Sequence, residues 1–412
     1  MADLALDHTL LFYLVLGLGL WMAWSVGAND FSNSGGPAIG AGVLSLREAI
    51  FIVVLFEVVG AILHGTTVTE SMRKEVIDLD PRSVPPGVVV YGMLSSLLGA
   101  GLWLTFATAR GWPVSTTHSI VGALVGFAVP ALGVDAVHWQ RIGYLLASWL
   151  LSPVVAGMIG FALIRSIGWL ILGSSDPARS ARRWAPLYVF LAAFVAFLMT
   201  FFRSMRPLGL DLSDGQFAIL AGAFGLGLTL MGILIVQGRR PQDVEDVFAP
   251  MTLFTVCAMA FAHGANDVAN AAGPMALAIE ALNGSGAHPL SPGPPVWIFV
   301  LGGVGIAVGV ATFGGRVIRT LGSEITALSP SRAFCTSLAA TATVVMATQS
   351  GFPVSTTQTV VGAIVGVGLF GGLASVRAST VATIIRAWLI TPAATAFLAG
   401  VLFFLLHSLF GA

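Results

Sequence analysis

The residues best suited to chemistry lie in two near-copies of one polar string, Gly27-Ala-Asn-Asp-Phe-Ser-Asn-Ser-Gly-Gly-Pro37 and Gly264-Ala-Asn-Asp-Val-Ala-Asn-Ala-Ala-Gly-Pro274. They agree at seven of eleven positions without a gap, at an offset of 237 residues (27 to 264). The apolar run Met251–Ala262 leads into the second copy, which places Asn266, Asp267 and Asn270 at membrane depth. A carboxylate there costs at least ~2.5–3.5 kcal/mol unless it faces a cavity or a bound cation. Asp30 and Asp267, with the amide oxygens of Asn29 and Asn266, are hard oxygen ligands suited to Na⁺, or alternatively to a transferable proton. Asn33 and Asn270 follow each aspartate by three residues, on the same face if the segment is helical. The plainer reading makes each aspartate a cap for the helix after it, which does not exclude a cation. A polar interruption duplicated in two halves of an apolar chain is the mark of a transporter site.

A second duplicated string has the opposite character. Gly111-Trp-Pro-Val-Ser-Thr-Thr-His-Ser119 and Gly351-Phe-Pro-Val-Ser-Thr-Thr-Gln-Thr359 lie 240 residues apart (111 to 351). Proline disfavours helix at the residue before it, so the chain is expected to be extended or turned at Trp112 and Phe352. Ser115 and Ser355 are then natural N-caps, and Ser355-x-x-Gln358 fits a capping box. The helices that follow would start inside the membrane and aim free N–H groups and a positive dipole end into the protein. Hydroxyls of Thr116, Thr117, Thr356 and Thr357 add neutral donors. The result is an anion site without basic residues, suited to an oxyanion that must also leave. The alternative is that these hydroxyls bond to carbonyls of their own helices.

Other polar residues are less telling. Glu57 is a third acid inside an apolar span, open to a packing role or a coupling role. His118 stands where the second copy has Gln358, and a cap or packing role is favoured over a proton site. His64 and His263 border polar stretches and read as ordinary hydrogen-bonded histidines. Arg165 reads as a snorkelling residue or a partner for a helix end. Cys257 and Cys335 lie in apolar runs and read as small buried hydrophobes. No Gly-x-Ser-x-Gly elbow, His-Glu-x-x-His or Walker loop occurs, so neither covalent catalysis nor ATP hydrolysis is expected, and no cofactor is called for beyond a coupling ion.

The elements around these strings are those of a membrane protein. Of 412 residues, 56% are hydrophobic and 9% charged, and mean hydropathy is +0.92, where a soluble chain carries roughly 25% charged residues. Nineteen basic residues balance nineteen acidic ones, which argues against a nucleic-acid partner and for lipid as the main solvent. Met1–His8 has no positive cluster, so the first apolar run is expected to stay as a span. That run, about Thr9–Val26, is expected to stop at the first Asn-Asp, with Phe31–Leu46 forming a re-entrant or broken helix. Further spans are expected at Ala49–Leu63, Gly87–Thr108, Leu187–Phe202, Phe217–Val236, Trp297–Thr312, Phe334–Thr348 and Val381–Leu406. Polar loops are expected at Thr66–Pro86 and Ser285–Pro295. A third matched pair, Trp149-Leu-Leu-Ser-Pro153 and Trp388-Leu-Ile-Thr-Pro392, repeats at offset 239, so three blocks in one order establish a duplication. The units are residues 1–173, an unrepeated piece 174–247, and residues 248–412. The expected fold is an all-α polytopic bundle of two inverted-topology repeats with discontinuous helices. The links Ser174–Trp184 and Gly238–Val247 carry Arg179, Arg182, Arg183, Arg239 and Arg240, which makes them cytoplasmic by the positive-inside rule.

Gly-Ala-Asn-Asp-Val-Ala-Asn-Ala together with Pro-Val-Ser-Thr-Thr, each present in both halves, resembles the inorganic phosphate transporter (PiT) family. The resemblance covers the chain apart from the central link and its two helices. It implies a phosphate symporter coupled to Na⁺ or H⁺, a homodimer, and multiple passes through a plasma membrane, the inner membrane in a bacterium. By position it implies phosphate and cation sites at Asn29, Asp30, Asn266, Asp267, Ser115, Thr116, Thr117, Ser355, Thr356 and Thr357, with Glu57 matching the family's first-half glutamate. Asp30 and Asp267 would also accept from a phosphate hydroxyl, which sulfate lacks. The chain departs from the family at Phe31-Ser32 (usually Val-Ala), at Gln358 (usually His) and at Ser337 (a glutamate in some members). A sulfate symporter of the same fold is the nearest alternative; a phosphate-sensing transceptor or an ion channel belongs to another class. A channel would need a polar stripe along several spans, whereas polarity here is concentrated at two short interruptions.

Overall fold

The computed structural model describes residues 7–79, 84–201, 213–239, 243–283, 294–349 and 354–410. These form α1 (His8–Gly40), α2 (Leu46–Glu75), α3 (Pro86–Ala109), α4 (Thr116–Leu132), α5 (Trp139–Ile167), α6 (Pro177–Phe201), α7 (Asp214–Arg239), α8 (Val244–Asp267), α9 (Ala269–Leu282), α10 (Val296–Phe313), α11 (Gly315–Arg319), α12 (Pro330–Gln349), α13 (Thr356–Leu369) and α14 (Ala378–Phe410). Among the described residues the one β pairing is an isolated bridge between Ile77 and Val137. Six of the helical stretches are long and apolar enough to cross a membrane. Leu150 and Leu389, each 73% exposed, and Phe397, at 71%, point outward where lipid would meet them. The chain is a multi-pass membrane protein.

The two repeats run in opposite directions. By sequence offset, α1 corresponds to α8–α9, α2 to α10–α11, α3 to α12, α4 to α13 and α5 to α14. His8 at the start of α1 lies 3.0 Å from the carbonyl of Leu282 at the end of α9, so these counterparts are antiparallel. Tyr91 early in α3 donates to the Phe410 carbonyl at the end of α14, at 2.8 Å. The same junction recurs on the opposite face, where Phe334 and Cys335 early in α12 pack on Ile164 and Ile167 at the end of α5. Packing is exchanged between repeats: α1 lies along α10 and α8 along α2, while α4 lies along α14 and α13 along α5. The first glycine of each polar string makes the exchange possible. A Cβ on Gly27 would stand 2.0 Å from the Ile306 carbonyl oxygen of α10, and one on Gly264 would stand 2.1 Å from the Glu57 carbonyl oxygen of α2. Both helices therefore touch their partners through backbone, which a side chain would prevent.

Of the two discontinuities expected, the one at the Asn-Asp string is absent. α1 passes through the first Asn-Asp without a break and ends at Gly40, and the second copy shows a one-residue hitch at Val268, whose N–H still reaches the Gly264 carbonyl at 3.4 Å. Residues 25–38 and 259–276 are buried without exception. A helix buried on all sides can carry polar side chains if their partners come from neighbouring elements, as they do for Asn29, Asp30 and Asp267. The true interruptions are at the Ser-Thr-Thr strings. α4 and α13 start in the interior, and Ser115, Thr116, Thr117, Ser355, Thr356 and Thr357 are each at most 2% exposed. α2 also runs on to Glu75, through much of the stretch expected as a polar loop, because residues 70–75 are mostly good helix formers. Phe352 and most of Ser285–Pro295 fall outside the described residues.

Candidate functional site

Asp30 and Asp267 lie at the centre of the bundle, both fully buried. Thr116 Oγ1 donates to Asp30 Oδ2 at 2.8 Å, and its counterpart Thr356 Oγ1 donates to Asp267 Oδ2 at 2.8 Å. These are one bond seen twice, once in each repeat. Thr357 crosses between repeats, donating to Asp30 Oδ1 at 2.9 Å. Thr116 Oγ1 also lies 3.4 Å from Asp267 Oδ1. The second asparagine of each string braces its own aspartate: Asn33 Nδ2 donates to Asp30 Oδ1 at 3.0 Å and Asn270 Nδ2 to Asp267 Oδ1 at 3.0 Å. Asn33 reaches Thr357 Oγ1 at 3.0 Å and Asn270 reaches Thr116 Oγ1 at 3.1 Å, so the spacing of three does put both groups on one helical face.

The first asparagines act on backbone. Asn29 Oδ1 accepts from Val114 N at 3.1 Å, and Asn29 Nδ2 donates to the Trp112 carbonyl at 3.0 Å. The amide thus bonds to the extended Trp112–Val114 segment as a neighbouring strand would, and holds the start of α4 in place. Asn266 Nδ2 approaches the Val354 carbonyl at 3.3 Å in the other repeat. The amide oxygen of Asn29, expected as a cation ligand, is already engaged. Ser115 Oγ accepts from His118 N at 3.1 Å and Ser355 Oγ from Gln358 N at 3.2 Å. Both serines are therefore the expected N-caps. The Gln358 half of a capping box is absent, since its Oε1 has no partner among the described residues. The caps take the third N–H of each helix, and the first two, on Thr116–Thr117 and Thr356–Thr357, have no partner inside their own helix.

Glu57 and His263 enter this centre together. His263 Nδ1 lies 2.7 Å from Glu57 Oε1. Its Nε2 lies 3.0 Å from Asp267 Oδ2 and 3.5 Å from Asp30 Oδ2, although neither contact is well directed for a hydrogen bond. Ser34 Oγ adds a donor to Glu57 Oε1 at 3.3 Å. Asp30, His263 and Asp267 offer one ligand atom each, all within 4.8 Å of one another. Reading His263 as an ordinary border histidine missed this. Its signal was the spacing His263 to Asp267, one helical turn on one face. The pair also breaks the symmetry of the site. At offset 237 the counterpart of His263 is Val26, and the two glycine contacts make Ile306 the counterpart of Glu57. One half thus has an acid–imidazole pair where the other has two hydrocarbons, which explains why no duplicate of Glu57 is found.

The remaining candidates lie further out. His118 stacks on Trp149 with ring centroids 3.8 Å apart, which fits the packing role. His64 sits edge-on to Phe261. Arg165 is exposed in the last turn of α5. Cys335 is buried, Cys257 is half-buried, and neither is in a disulfide. The centre can hold a small cation among carboxylate and imidazole atoms. It can also offer hydroxyls and two helix N-termini to an oxyanion. No lysine or arginine is among the partners of the two aspartates in the described residues.

Similarity to known proteins agrees with this chemistry. Residues 26–399 match the family described as "Phosphate transporter family". A protein of Haemophilus influenzae named "Putative phosphate permease" is 39% identical over 405 residues, covering 95% of this chain and 96% of its own. "Inorganic phosphate transporter 2-1, chloroplastic" of Arabidopsis thaliana is 36% identical, covering 94% of this chain and 71% of its own. The solved structure titled "The sodium-dependent phosphate transporter" superposes with a TM-score of 0.89 at 33% identity, covering 97% of this chain and 99% of its own. With the family model matching residues 26–399 and relatives 36–39% identical along nearly the whole chain, this protein belongs to the phosphate transporter family.

Proposed function

We propose that the protein is a secondary active symporter that carries inorganic phosphate together with a cation, Na⁺ in preference to H⁺. The observation that carries this reading is the convergence of Thr116, Thr356 and Thr357, from two oppositely oriented half-helices, on two buried carboxylates. Ser115, Thr116, Thr117, Ser355, Thr356 and Thr357 supply the N-terminal turns and hydroxyls for the phosphate oxygens. Asp30 and Asp267 take the cation and accept from a phosphate hydroxyl. Asn29 and Asn266 serve by holding the segments that aim the half-helices. Glu57 acts through His263, which bridges it to both aspartates. The close structural relative is titled sodium-dependent, which supports Na⁺ over H⁺. The test is uptake of labelled phosphate into proteoliposomes under an inward Na⁺ gradient, a choline control and a proton gradient, each with sulfate as competitor. Uptake indifferent to both gradients would sink the symport reading, and sulfate competing as well as phosphate would move the sulfate reading ahead.

A further inference from the structure

On one face of the bundle, a cleft of about 310 Å³ opens between the α3–α4 turn, the turn after α11 and the start of α14. Arg110, Trp112, Pro113, Thr320, Ser379 and Thr383 are among the residues that line it. Its cationic member is Arg110, exposed and held over the Phe106 ring at 4.8 Å. Its acidic member, Glu324, pairs with Arg319 at 3.2 Å. The free charge facing the cleft is therefore positive, and the other polar groups are hydroxyls beside a helix start. None of these residues belongs to the central site.

The floor of the cleft is thin. Trp112 and Pro113 line it, and two residues beyond Pro113 the chain reaches the Ser115 cap of α4. Four residues of extended chain reach at most about 14 Å, so the cleft and the buried threonines lie within one short segment of each other. That segment is fastened from three sides. Asn29 holds Trp112 and Val114, Trp388 Nε1 donates to the Pro113 carbonyl at 3.1 Å, and Thr320 Oγ1 donates to the Gly111 carbonyl at 3.0 Å. Gly111 has φ +69°, so the turn that brings the chain back inward is one that glycine adopts without strain.

The cleft also faces a definite side. The Arg377 N–H bonds to the Ile325 carbonyl at 2.9 Å, and Ser331 bonds to Glu245 at 2.7 and 2.9 Å. The starts of α14, α12 and α8 therefore share the face of the arginine-bearing link that precedes α8.

We propose that this cleft is a second, low-affinity oxyanion site, an antechamber in which Arg110 receives phosphate on its way between that face and the central threonines. The proposal rests on the phosphate-transport reading for its ligand but not for its readout. Because the Arg110 charge is exposed, its effect is on capture and is screened by salt.

The test uses the full chain in proteoliposomes with Ser379→Cys as a reporter, labelled by a membrane-impermeant maleimide. Inorganic phosphate should slow the labelling. In the Arg110→Gln background, the phosphate concentration needed for protection should rise by about fivefold or more, and raising salt should erase the difference. Arg110→Lys should keep most of the protection, because it keeps the charge. In transport, Arg110→Gln should raise the KM for phosphate presented on the cleft side, and raising salt should erase that change as well. Protection that survives Arg110→Gln unaltered would mean the signal comes from the buried site through a conformational change, and the antechamber would be overturned. No protection at all would overturn it as well. A wild-type chain that fails to transport phosphate, yet shows Arg110-dependent protection, would refute the transport reading and leave the cleft standing.

Discussion

Replacing Thr357 by valine tests the central geometry with little change of shape. The hydroxyl donates to Asp30 Oδ1 at 2.9 Å and accepts from Asn33 Nδ2 at 3.0 Å. It is the shortest hydrogen bond joining the aspartate of one repeat to the half-helix of the other. Valine fills the same volume without the hydroxyl. Asn33 is not orphaned, because it keeps Asp30 Oδ1 at 3.0 Å. The hydroxyl's weaker approach to the Val114 carbonyl, at 3.2 Å, goes with it, but the main loss is one hydrogen bond to a charged group, about 1.5–3 kcal/mol. At 1.4 kcal/mol per factor of ten, kcat/KM for phosphate should fall by about 10- to 150-fold. Thr359→Val is the control. That side chain is also fully buried, but its hydroxyl donates to the Ser355 carbonyl of its own helix at 2.8 Å and touches no carboxylate. Its removal should change kcat/KM by no more than about threefold, since such back-bonding contributes little. Equal losses from the two substitutions, measured as initial uptake rates in proteoliposomes, would refute the reasoning. Thermal melts of Thr357→Val, Asp30→Asn and the double variant should show a coupling of about 1 kcal/mol or more, as expected for directly bonded groups.

Asp30→Asn and Asp267→Asn should each abolish cation-dependent phosphate uptake while the protein still inserts and elutes as a single species. An Asp267→Asn protein with wild-type cation dependence would remove that residue from coupling. His263→Ala should strand Glu57, whose Oε1 has the imidazole at 2.7 Å, and lower the melting temperature more than Glu57→Gln paired with His263→Ala does, because breaking one side of a buried pair costs more than removing both. Gly264→Ala should destabilise the protein by about 1–3 kcal/mol, because its Cβ would press on the α2 backbone; Gly17→Ala, with open space around it, should be neutral or slightly stabilising. Cysteines placed at Arg47 and Asn283, both exposed beside the ends of α1 and α9, should label from opposite sides of the membrane; labelling from one side would contradict the inverted repeats.

The centre was legible where the sequence repeats itself. Two copies of Asn-Asp and two of Ser-Thr-Thr announce one site built twice, and the threonine–aspartate bonds confirm that they meet. What escaped was whatever occurs once. Glu57 stands out as a lone acid in an apolar span, but its partner His263 does not: His263 has Val26 as its counterpart and Glu57 has Ile306, so no repetition pointed to the pair, and the two lie 206 residues apart in the chain. Helix continuity escaped for a different reason. A string rich in glycine, serine and asparagine has poor helix propensity, yet α1 runs through it. There, tertiary partners from α3, α4, α13 and the segment before α4 bond to Asn29 and Asp30. The same string therefore looks like a break when read alone and is a helix when its partners are counted. The serine caps of the Ser-Thr-Thr strings were read correctly because their signal is local: Ser115 and Ser355 each cap the helix that follows.

On the proposed reading, cation coupling follows from how few protons the threonines have to give. A phosphate placed about 4 Å from an ionised carboxylate is repelled by roughly 4 kcal/mol per unit charge at an effective dielectric of 20. Two carboxylates and a doubly charged phosphate make that roughly 16 kcal/mol. Each helix N-terminus returns about 1 kcal/mol, at most ~2, and each hydroxyl about 1.5–3 kcal/mol. Two helix ends and three hydroxyls cannot balance the repulsion while both carboxylates keep their charge. The hydroxyls are also committed, because each has a single hydrogen and in this structure Thr116, Thr356 and Thr357 point it at Asp30 or Asp267. A cation on a carboxylate changes both terms. It offsets the charge that repels the anion, and it takes the carboxylate oxygen as its own ligand, which frees the hydroxyl to turn and donate to phosphate. One bond rotation then separates a site that holds its threonines on aspartate from a site that presents them to an oxyanion. Phosphate and cation should therefore each tighten the binding of the other by the same factor. Isothermal titration of phosphate at a series of Na⁺ concentrations measures that factor, and an affinity independent of Na⁺ and of pH would show that the hydroxyls do not switch.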